Sequence, residues 1–335
     1  TGSNDTGDGS ENNPYATIQK GIDMSIDGDI VLVGPGEYFE NLIIGTEIFL
    51  VSQNGPEETI INGSCSNSAC RVITSNLESE NLFLNIEGFT ITGGEAYYVL
   101  SHGWIGGAIG PNDVQWFNVD SLKLNNMIFI GNGEFDVACI GDILHYVDIQ
   151  NSTFIKDGGS IFKGGWDIQQ EHNITNSIFY GSNSTEEFNN VFTFSSCLSY
   201  GDISIPNLVE GNGNLINVNP LFCDSENGDY SLAENSPAIG AGEGGVNMGA
   251  LDVGCEAILI PGTIHVATAG SDDTGDGSED NPYATIQKGI DTSIDGDTVL
   301  VAFGEYFENV FVDEKSITLL STENAIINGD NQDYT

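Results

Sequence analysis

A stretch of 43 residues occurs twice in this chain, and it constrains the fold more than any other feature. The first copy runs from Gly2 to Ile44 and the second from Gly270 to Val312, at a constant offset of 268 residues. A weaker match continues to Ile60–Gly63 and Ile326–Gly329. Internal repetition over such a long period indicates repeated folding units.

The repeat predicts the domain organisation. We interpret residues 1–256 as a complete unit, 257–262 as a linker and 263–335 as the start of a second, truncated unit. The second copy is preceded by Thr263–Ala267, a strand-like lead-in with no counterpart before the first copy. We therefore expect the chain to be part of a longer tandem array, and a piece with arbitrary ends is the alternative.

The charge of the chain excludes several classes of partner. Seven basic residues stand against 50 acidic ones, for a net charge of −43. Nucleic acid and anionic membrane surfaces require clustered Lys and Arg, so neither is expected as a partner. The sequence contains no run of about 18 apolar residues, so we expect no membrane insertion. A net charge of this size is compatible with solubility in salty water or with a need for divalent cations.

The start of the repeat predicts a short helix followed by short strands. Residues 2–13 are rich in Gly, Ser, Asp and Asn and indicate a loop. Pro14 is predicted to open a helix, in which Ile18, Ile22 and Ile26 follow a helical spacing. Short apolar segments follow, separated by loops and without intervening helices. This pattern favours a sandwich, a barrel or a solenoid.

Five later segments share one seven-residue frame and favour the solenoid. Their first residues are 38, 25, 25 and 20 positions apart, and a period near 25 with a strand, a turn and a strand is typical of stacked coils. The five segments are Ile86–Thr92, Leu124–Ile130, Ile149–Ile155, Ile174–Tyr180 and Phe194–Tyr200.

Asparagine recurs at the third position of three of these frames. Asn126, Asn151 and Asn176 would stack about 4.8 Å apart in a parallel solenoid. Stacked Asn side chains can hydrogen-bond as a ladder, and Asn tolerates the left-handed backbone that a tight turn requires. We predict an asparagine ladder, with chance recurrence in an Asn-rich chain as the alternative.

Two of the six cysteines lie in one polar loop, Cys65-Ser-Asn-Ser-Ala-Cys70. No His cluster or Cys-x-x-Cys pair accompanies them, so zinc is not indicated. We predict a local Cys65–Cys70 disulfide, which would imply an oxidising, extracellular location.

The order of these features resembles a known family. The opening helix, the Gly28–Val33 and Gly36–Tyr38 strand pair, the repeated frames and the ending with Pro220–Phe222 and Ser236-Pro-Ala resemble right-handed parallel β-helix proteins of the pectin-lyase-like superfamily. The likeness is strongest to bacterial surface-protein members. It covers nearly all of residues 1–256 and restarts near residue 263.

The resemblance implies an all-β fold, a right-handed parallel β-helix with a short N-terminal capping helix, tandemly repeated. It further implies that Pro220–Phe222 closes the last coil, since open solenoid ends expose core and strand edges. Cys223 and Cys255 would lie together in that cap and form a disulfide. Cys197, at the fourth position of its frame, is expected to be buried and unpaired.

The family includes polysaccharide lyases and glycosidases, so an enzyme is an alternative. A lyase needs an Arg or Lys base, but a lone Lys123 or Lys156 is better explained as a solvated side chain. Glycosidases need paired carboxylates across a cleft, and the catalytic motifs of the family are not found here. Asp142, His145 and Asp148 are better explained as surface residues. We leave enzymatic activity open and lean against it.

An acidic loop within the repeat is the candidate ion site. Calcium takes six to eight oxygens from carboxylates and carbonyls on flexible loops. We predict Ca²⁺ binding here, with a solvated acidic turn as the alternative. The candidate ligands are Asp5, Asp8 and Glu11 in the first copy and Asp273, Asp276 and Glu279 in the second.

Tryptophans between residues 97 and 166 are candidates for sugar stacking. Trp104, Trp116 and Trp166 could stack on sugar rings if they are exposed. Packing in the core or in loops explains each of them equally well.

We therefore expect an extracellular or cell-surface structural or adhesive repeat protein that self-associates end to end into a fibre, sheath or surface array. The alternatives are a polysaccharide-degrading enzyme and a carbohydrate-binding module. Surface glycans are candidate partners.

Overall fold

The chain divides into two compact units, Thr1–Ala257 and Ile258–Thr335. The computed structural model describes most of both units. The described residues are 2–63, 71–75, 82–95, 97–99, 103–105, 107–110, 119–133, 135–138, 146–157, 160–163, 172–182, 192–203, 205, 208–322 and 324–329.

The first unit begins with one helix and continues as successive coils of short strands. The helix is α1 (Ile18–Met24). The first two coils contain β1 (Ile30–Val33), β2 (Gly36–Phe39), β3 (Leu42–Ile44), β4 (Phe49–Ser52), β5 (Thr59–Asn62) and β6 (Ile73–Ser75). The third contains β7 (Leu82–Glu87), β8 (Thr90–Thr92), β9 (Tyr97–Val99) and β10 (Gly103–Ile105).

Four further coils follow in the same order. Their strands are β11 (Val119–Asn125), β12 (Ile128–Ile130), β13 (Phe135–Ala138), β14 (Tyr146–Gln150), β15 (Thr153–Asp157), β16 (Ser160–Lys163), β17 (His172–Thr175), β18 (Ile178–Ser182), β19 (Phe192–Ser195) and β20 (Leu198–Tyr200).

Two long parallel sheets form the walls of the first unit. One contains β1, β4, β7, β11, β14, β17 and β19 in that order, and the other contains β2, β5, β8, β12, β15, β18 and β20. Shorter parallel pairs, β3 with β6 and β13 with β16, form a third side, while β9 and β10 pair antiparallel. The fold is therefore an all-β parallel solenoid, as predicted.

The predicted frames stack in register. Leu124 pairs with Ile86 on one side and Ile149 on the other, and Ile149 pairs in turn with Ile174. In the second sheet Phe129 pairs with Phe154. This confirms the parallel stacking that the sequence period predicts.

A left-handed residue turns the chain between the two sheets in each of these coils. It occupies the third position of every frame, with φ of 82° at Gly88, 54° at Asn126, 47° at Asn151, 51° at Asn176 and 51° at Ser196. Non-glycine residues other than Asn and Asp rarely adopt this conformation, which explains the recurrent asparagine.

Aromatic rings stack along the core. The ring centroids of Phe129 and Phe154 are 4.9 Å apart with planes 5° from parallel, and those of Phe154 and Phe179 are 5.3 Å apart at 11°. Phe194 meets Phe179 edge to face at 5.9 Å. Identical positions on successive coils therefore place identical rings in contact, which stabilises the register.

The helix lies at the start of this core, but it is shorter than the sequence predicts. Thr17 is its N-cap, and Ile18 and Ile22 are buried in the main core. Pro14 precedes the helix, and Ile26, which is 70% exposed, follows it. The prediction that Pro14 opens the helix is wrong because the Thr17 side chain caps the N–H of Lys20 and fixes a later start.

The C-terminal part of the first unit forms a small sheet and two short turns of 3₁₀ helix. The strands are β21 (Phe222–Asp224), β22 (Asp229–Ala233) and β23 (Val253–Cys255), and the 3₁₀ turns are Ser225–Asn227 and Glu243–Gly245. The strand β22 pairs antiparallel with β21 and parallel with β23.

This part covers the outer face of the second sheet rather than only closing the last coil. Its Phe222 and Met248 share a second core with Ile178 and Leu198, which belong to β18 and β20. The N–H of Ala250 donates to the Thr153 hydroxyl of β15, at 2.9 Å. The resemblance to parallel β-helix proteins did not imply that the C-terminal part would pack along the side of the solenoid.

The second unit contains the same helix and first strands as the first unit, and one strand precedes this repeated part. Its helix is α2 (Ile286–Thr292). Its strands are β24 (Thr263–Val266), β25 (Thr298–Val301), β26 (Gly304–Tyr306), β27 (Thr318–Ser321) and β28 (Ala325–Ile327). Two parallel sheets result, β24-β25-β27 and β26-β28.

We expect Phe154→Ala to lower the free energy of unfolding of the first unit by about 3–5 kcal/mol, because it removes a fully buried ring from the middle of the stack. Phe83→Ala is the matched control. Phe83 is 44% exposed, so its loss should cost about 1 kcal/mol or less. Chemical denaturation followed by circular dichroism measures both, and equal losses would contradict the assignment of the core.

We expect acid to destabilise the first unit through His172. The side chain is buried in β17, its Nδ1 accepts the N–H of Val147 at 3.0 Å, and burial lowers its pKa from 6.5 to about 4. Between these values the unfolded chain binds the proton and the folded chain does not, so stability falls as the pH drops from 6.5 towards 4. Each pKa unit of difference corresponds to about 1.4 kcal/mol.

The variant His172→Phe isolates this effect. It loses the hydrogen bond from Val147, so its stability should be lower at every pH. Between pH 6.5 and 5, however, its unfolding free energy should change less with pH than that of the original chain. Parallel pH profiles for the two proteins would exclude His172 as the source of the acid sensitivity.

Candidate functional site

The repeated start of each unit is held together by the same polar contacts. Asn4 Oδ1 accepts the N–H groups of Ala16 and Thr17 at 2.8 and 3.2 Å. Its counterpart Asp272 accepts the N–H groups of Ala284 and Thr285 at 2.8 and 3.0 Å. These two side chains therefore tie the loop to the helix.

A glutamate binds the first turn of each helix, and our sequence analysis missed it. The Glu40 carboxylate accepts the N–H groups of Ile18 and Gln19 at 2.8 and 2.9 Å, and Glu308 makes the same two bonds in the second unit, both at 2.8 Å. A carboxylate is favourable where helical N–H groups lack partners. The recurrence of Glu40 at the repeat offset was the signal that could have found it.

A glutamine joins each helix to the chain beyond it. Gln19 accepts the N–H of Ile43 at 2.8 Å and donates to its carbonyl at 3.0 Å. Gln287 makes the same pair of bonds to Phe311, at 2.7 and 3.0 Å. The repeated residues thus join loop, helix and strand by the same bonds, and we call this assembly the starting cap in both units.

In each starting cap, an aspartate of the acidic loop accepts hydrogen bonds from a serine of the same loop. Hydrogen bonds from the side chain and backbone of Ser10 hold the pKa of Asp8 below its usual value. The Asp276 carboxyl has a lowered pKa for the same reason, with Ser278 as the donor. Each loop is therefore a turn closed by its own aspartate.

The predicted calcium ligands remain separate in this arrangement. All six carboxylate residues, Asp5, Asp8, Glu11, Asp273, Asp276 and Glu279, are exposed. Over the part of the chain that the structure describes, no group of three or more His, Cys, Asp or Glu residues is placed to hold a metal ion. The side chains do not form a ready coordination shell, and calcium binding here stays a prediction.

The described cysteines have clear states. Cys223 and Cys255 are joined by a disulfide between β21 and β23, with their Cα atoms 5.8 Å apart. Cys197 is buried and free, and burial raises the pKa of its thiol to about 12. Cys65 and Cys70 lie outside the described residues.

The asparagine ladder forms in part. Asn176 Nδ2 donates to Asn151 Oδ1 at 3.2 Å, but Asn151 Nδ2 donates to Asn125 rather than to Asn126, at 2.8 Å. Asn176 Oδ1 also accepts the N–H of Glu243 at 2.7 Å, which joins the coil to the C-terminal part.

A second polar ladder lies one position further along, inside the core. Ser177 Oγ accepts the N–H of Ser152 at 3.2 Å, and Ser152 Oγ accepts the N–H of Met127 at 3.3 Å. These bonds satisfy buried backbone N–H groups where the chain turns from the first sheet into the second. The signal for them was the Asn-Ser dipeptide at Asn151 and Asn176.

The three tryptophans and the set Asp142, His145 and Asp148 lie mostly outside the described residues. Trp104 lies in the strand β10, and Trp116 and Trp166 lie outside the described part of the chain. Asp142 and His145 also lie outside it. Sugar stacking by these residues stays a prediction.

Lys156 is not the solvated side chain that the sequence suggested. It is only 4% exposed, and its Nζ donates to the Gly133 carbonyl. Lys156 lies in the strand β15, and the carbonyl that accepts its hydrogen bond belongs to the preceding coil. Lys123, in contrast, is exposed as expected.

The outer face of the first sheet carries a shallow concavity of about 270 Å³. Phe49 lines it, together with polar side chains that include Asn85, Lys123, Asp148 and Gln150. These side chains point outwards from alternate positions of neighbouring strands. The face offers mixed polar and aromatic contacts to solvent.

We expect Cys197 to resist alkylation in the folded protein, because its thiol is buried and its pKa is raised. Cys223 and Cys255 should stay unlabelled without reductant even in denaturant, whereas Cys197 should then react. Mass spectrometry of peptides after iodoacetamide treatment, with and without guanidinium, measures this pattern. Labelling of Cys223 before reduction would exclude the disulfide, and rapid labelling of native Cys197 would exclude its burial.

Within the described chain, neither helix has the length and apolarity needed to cross a membrane.

Comparisons with known proteins give one partial relative. Over 83 residues the chain is 37% identical to a cell surface glycoprotein of Methanothermus fervidus. The match covers 24% of this chain and 12% of the length of the glycoprotein. No protein-family model matches the chain, and no solved structure matches it.

Proposed function

We propose that the chain is a segment of a secreted, cell-surface structural or adhesive protein, in which parallel β-solenoid units follow one another in tandem. The repeated starting cap carries this proposal. The bonds of Glu40 and Gln19 recur at Glu308 and Gln287, which supports the interpretation of the second copy as the start of another solenoid unit.

The location is supported by two further observations. The partial relative is a cell surface glycoprotein, which supports a location at the cell surface. The Cys223–Cys255 disulfide fits an oxidising compartment outside the cytosol.

We further propose that these units join end to end into an extended assembly. Parallel solenoids grow by adding strands to an edge, and a repeated contact that does not close on itself produces a filament. The net charge of −43 opposes such contacts between copies. Divalent cations such as Ca²⁺ would reduce this repulsion, either at the acidic loops or by screening.

We expect the purified 335-residue chain to sediment as larger species in millimolar Ca²⁺ and to return to smaller ones after addition of a chelator. Analytical ultracentrifugation measures this, and a matching ionic strength of NaCl separates specific from general screening. Electron microscopy of the native material should reveal fibres or sheets with a regular repeat.

Two outcomes would overturn the proposal. A chain that remains monomeric in Ca²⁺, combined with native material that contains no ordered assembly, would remove the structural role. Detection of the native protein only inside cells would remove the surface location.

A further inference from the structure

A lysine of the second unit caps the end of the helix α2. Its ammonium group donates to three backbone carbonyls: Lys315 Nζ lies 2.8 Å from the oxygen of Ile290, 3.1 Å from that of Asp291 and 2.8 Å from that of Ser293. At the C-terminal end of a helix the C=O groups lack intrahelical partners, and a positive charge is favourable there. Because an ammonium group has three N–H donors, it can serve all three carbonyls at once.

The helix α1 of the first unit ends in the same way. At the repeat offset, the counterparts of the three carbonyls are those of Ile22, Asp23 and Ser25. In both units the serine donates its N–H and its hydroxyl to the isoleucine carbonyl, at 3.1 and 2.7 Å, so the helix end has the same local geometry. Within the described residues, no hydrogen bond reaches the carbonyl of Asp23 or that of Ser25.

The two units differ in one short connection within the repeated part. It is Gly45-Thr46 in the first unit and Asp313-Glu314-Lys315 in the second, which is one residue longer. The residues that follow, Glu47 and Ser316, are structural counterparts, because the N–H of each donates to an equivalent aspartate, at 3.1 and 2.7 Å. Thr46 therefore stands where the second unit has its lysine, and the first unit supplies no ammonium group of its own here.

The first unit has an open cavity of about 460 Å³ at this place. Ile22 and Asp23 of the helix line it, and so does Thr46 of the short connection. Ser25 is half-buried, whereas its counterpart Ser293, which accepts a hydrogen bond from the lysine, is 4% exposed. The helix end is thus open in the first unit and occupied in the second.

We propose that the carbonyls of Ile22, Asp23 and Ser25 form a binding site for a primary ammonium group that comes from outside the unit. We call these three carbonyls the ammonium site. The ligand takes the position that Lys315 Nζ has in the second unit. It is an alkylammonium, carried either by a lysine side chain of a partner or by a free aliphatic amine. The net charge of −43 raises the local concentration of any such cation.

The distances in the second unit favour an ammonium group over a metal ion. Its three carbonyl oxygens lie 2.8 to 3.1 Å from one nitrogen, which is the range of N–H···O hydrogen bonds. Calcium takes six to eight oxygens at about 2.3–2.6 Å, and magnesium requires still shorter distances. Three carbonyls with this spacing therefore match the donors of an ammonium group and fall short of a calcium coordination shell.

The inference goes beyond the proposed function and does not depend on it. The ammonium site requires neither assembly into fibres nor a surface location, because it follows from the difference between Thr46 and Lys315 in two otherwise matching helix ends. The site and the proposed function can therefore fail separately.

The test titrates the full chain with n-butylammonium chloride, which carries the end of a lysine side chain, at constant ionic strength. Nitrogen-15 NMR should give saturable shifts at the peptide nitrogens that follow the three carbonyls, which are those of Asp23, Met24 and Ile26. Tetramethylammonium has the same charge but no N–H donor, so it should give no saturable shift there. Calcium chloride is the metal control and should give none either.

An exchange of the short connection tests the site in the first unit. Replacement of Gly45-Thr46 by the tripeptide Asp-Glu-Lys gives the first unit the connection of the second. Replacement by Asp-Glu-Met gives the same length without an ammonium group. The chain with Asp-Glu-Lys should bind n-butylammonium about tenfold more weakly than the chain with Asp-Glu-Met, because a tethered lysine competes at a high effective concentration.

The variant Lys315→Met makes the reverse test in the second unit. It removes the ammonium group from the end of α2 and leaves the three carbonyls open, so a second site should appear. New saturable shifts are expected at the peptide nitrogens of Asp291, Thr292 and Ile294. The midpoint of thermal unfolding should also rise more with n-butylammonium for this variant than for the original chain, since the ligand replaces the lost group.

Two further ligands distinguish the sources of the ammonium group. Nα-acetyl-lysine methylamide represents a protein side chain, and 1,4-diaminobutane represents a free amine. Binding of either at the end of α1 supports the site, and the tighter of the two identifies the source that the site selects.

Several outcomes would overturn the inference. These are the absence of saturable n-butylammonium shifts at the end of α1, equal shifts with tetramethylammonium, and equal binding by the two chains with exchanged connections. Saturation by calcium without any response to n-butylammonium would assign the carbonyls to a metal ion instead. Fibres without amine binding would remove only the ammonium site, and amine binding without any native assembly would remove only the structural role.

Discussion

The backbone hydrogen bonds between successive coils hold the first unit together, and in the five coils that carry the seven-residue frame they depend on one repeated corner. At that corner a residue such as Asn151 adopts φ of 47°, which directs the chain from the first sheet into the second. A slip of one residue would exchange inward and outward side chains. The corner therefore determines that Phe154 enters the core and that its ring stacks on Phe129.

The periodic part of this fold could be predicted from sequence because each coil repeats the same physical requirements. An apolar residue, a left-handed corner and a second apolar strand recur about every 25 residues, and the structure places Leu124, Ile149 and Ile174 in one row. The return of residues near Met248 along the outer face could not be predicted, because that segment occurs once and its partners Ile178 and Leu198 are distant in sequence.

The sequence could predict where the candidate site lies in the chain, but not which contacts its side chains make. Repetition marked the acidic loop, but it could not tell which oxygens were already used within it. Asp8 receives hydrogen bonds from Ser10, and Glu40 lies 22 residues after the helical N–H that it accepts. Such contacts depend on the three-dimensional path of the chain. Lys156 illustrates the same limit, since its burial arises from the neighbouring coil that contains Gly133.

The boundary of the repeat in sequence differs from its boundary in structure. The close sequence match restarts at Gly270, whereas the second compact unit begins at Ile258 and includes the lead-in strand β24. That strand lies beside Tyr306, which is 3% exposed and donates its hydroxyl to the Val266 carbonyl at 3.5 Å. A strand of four residues completes the starting cap without contributing to its internal bonds. The bonds that Glu308 and Gln287 make within the second cap are matched by those of Glu40 and Gln19 in the first, so the close sequence repeat encodes the cap itself.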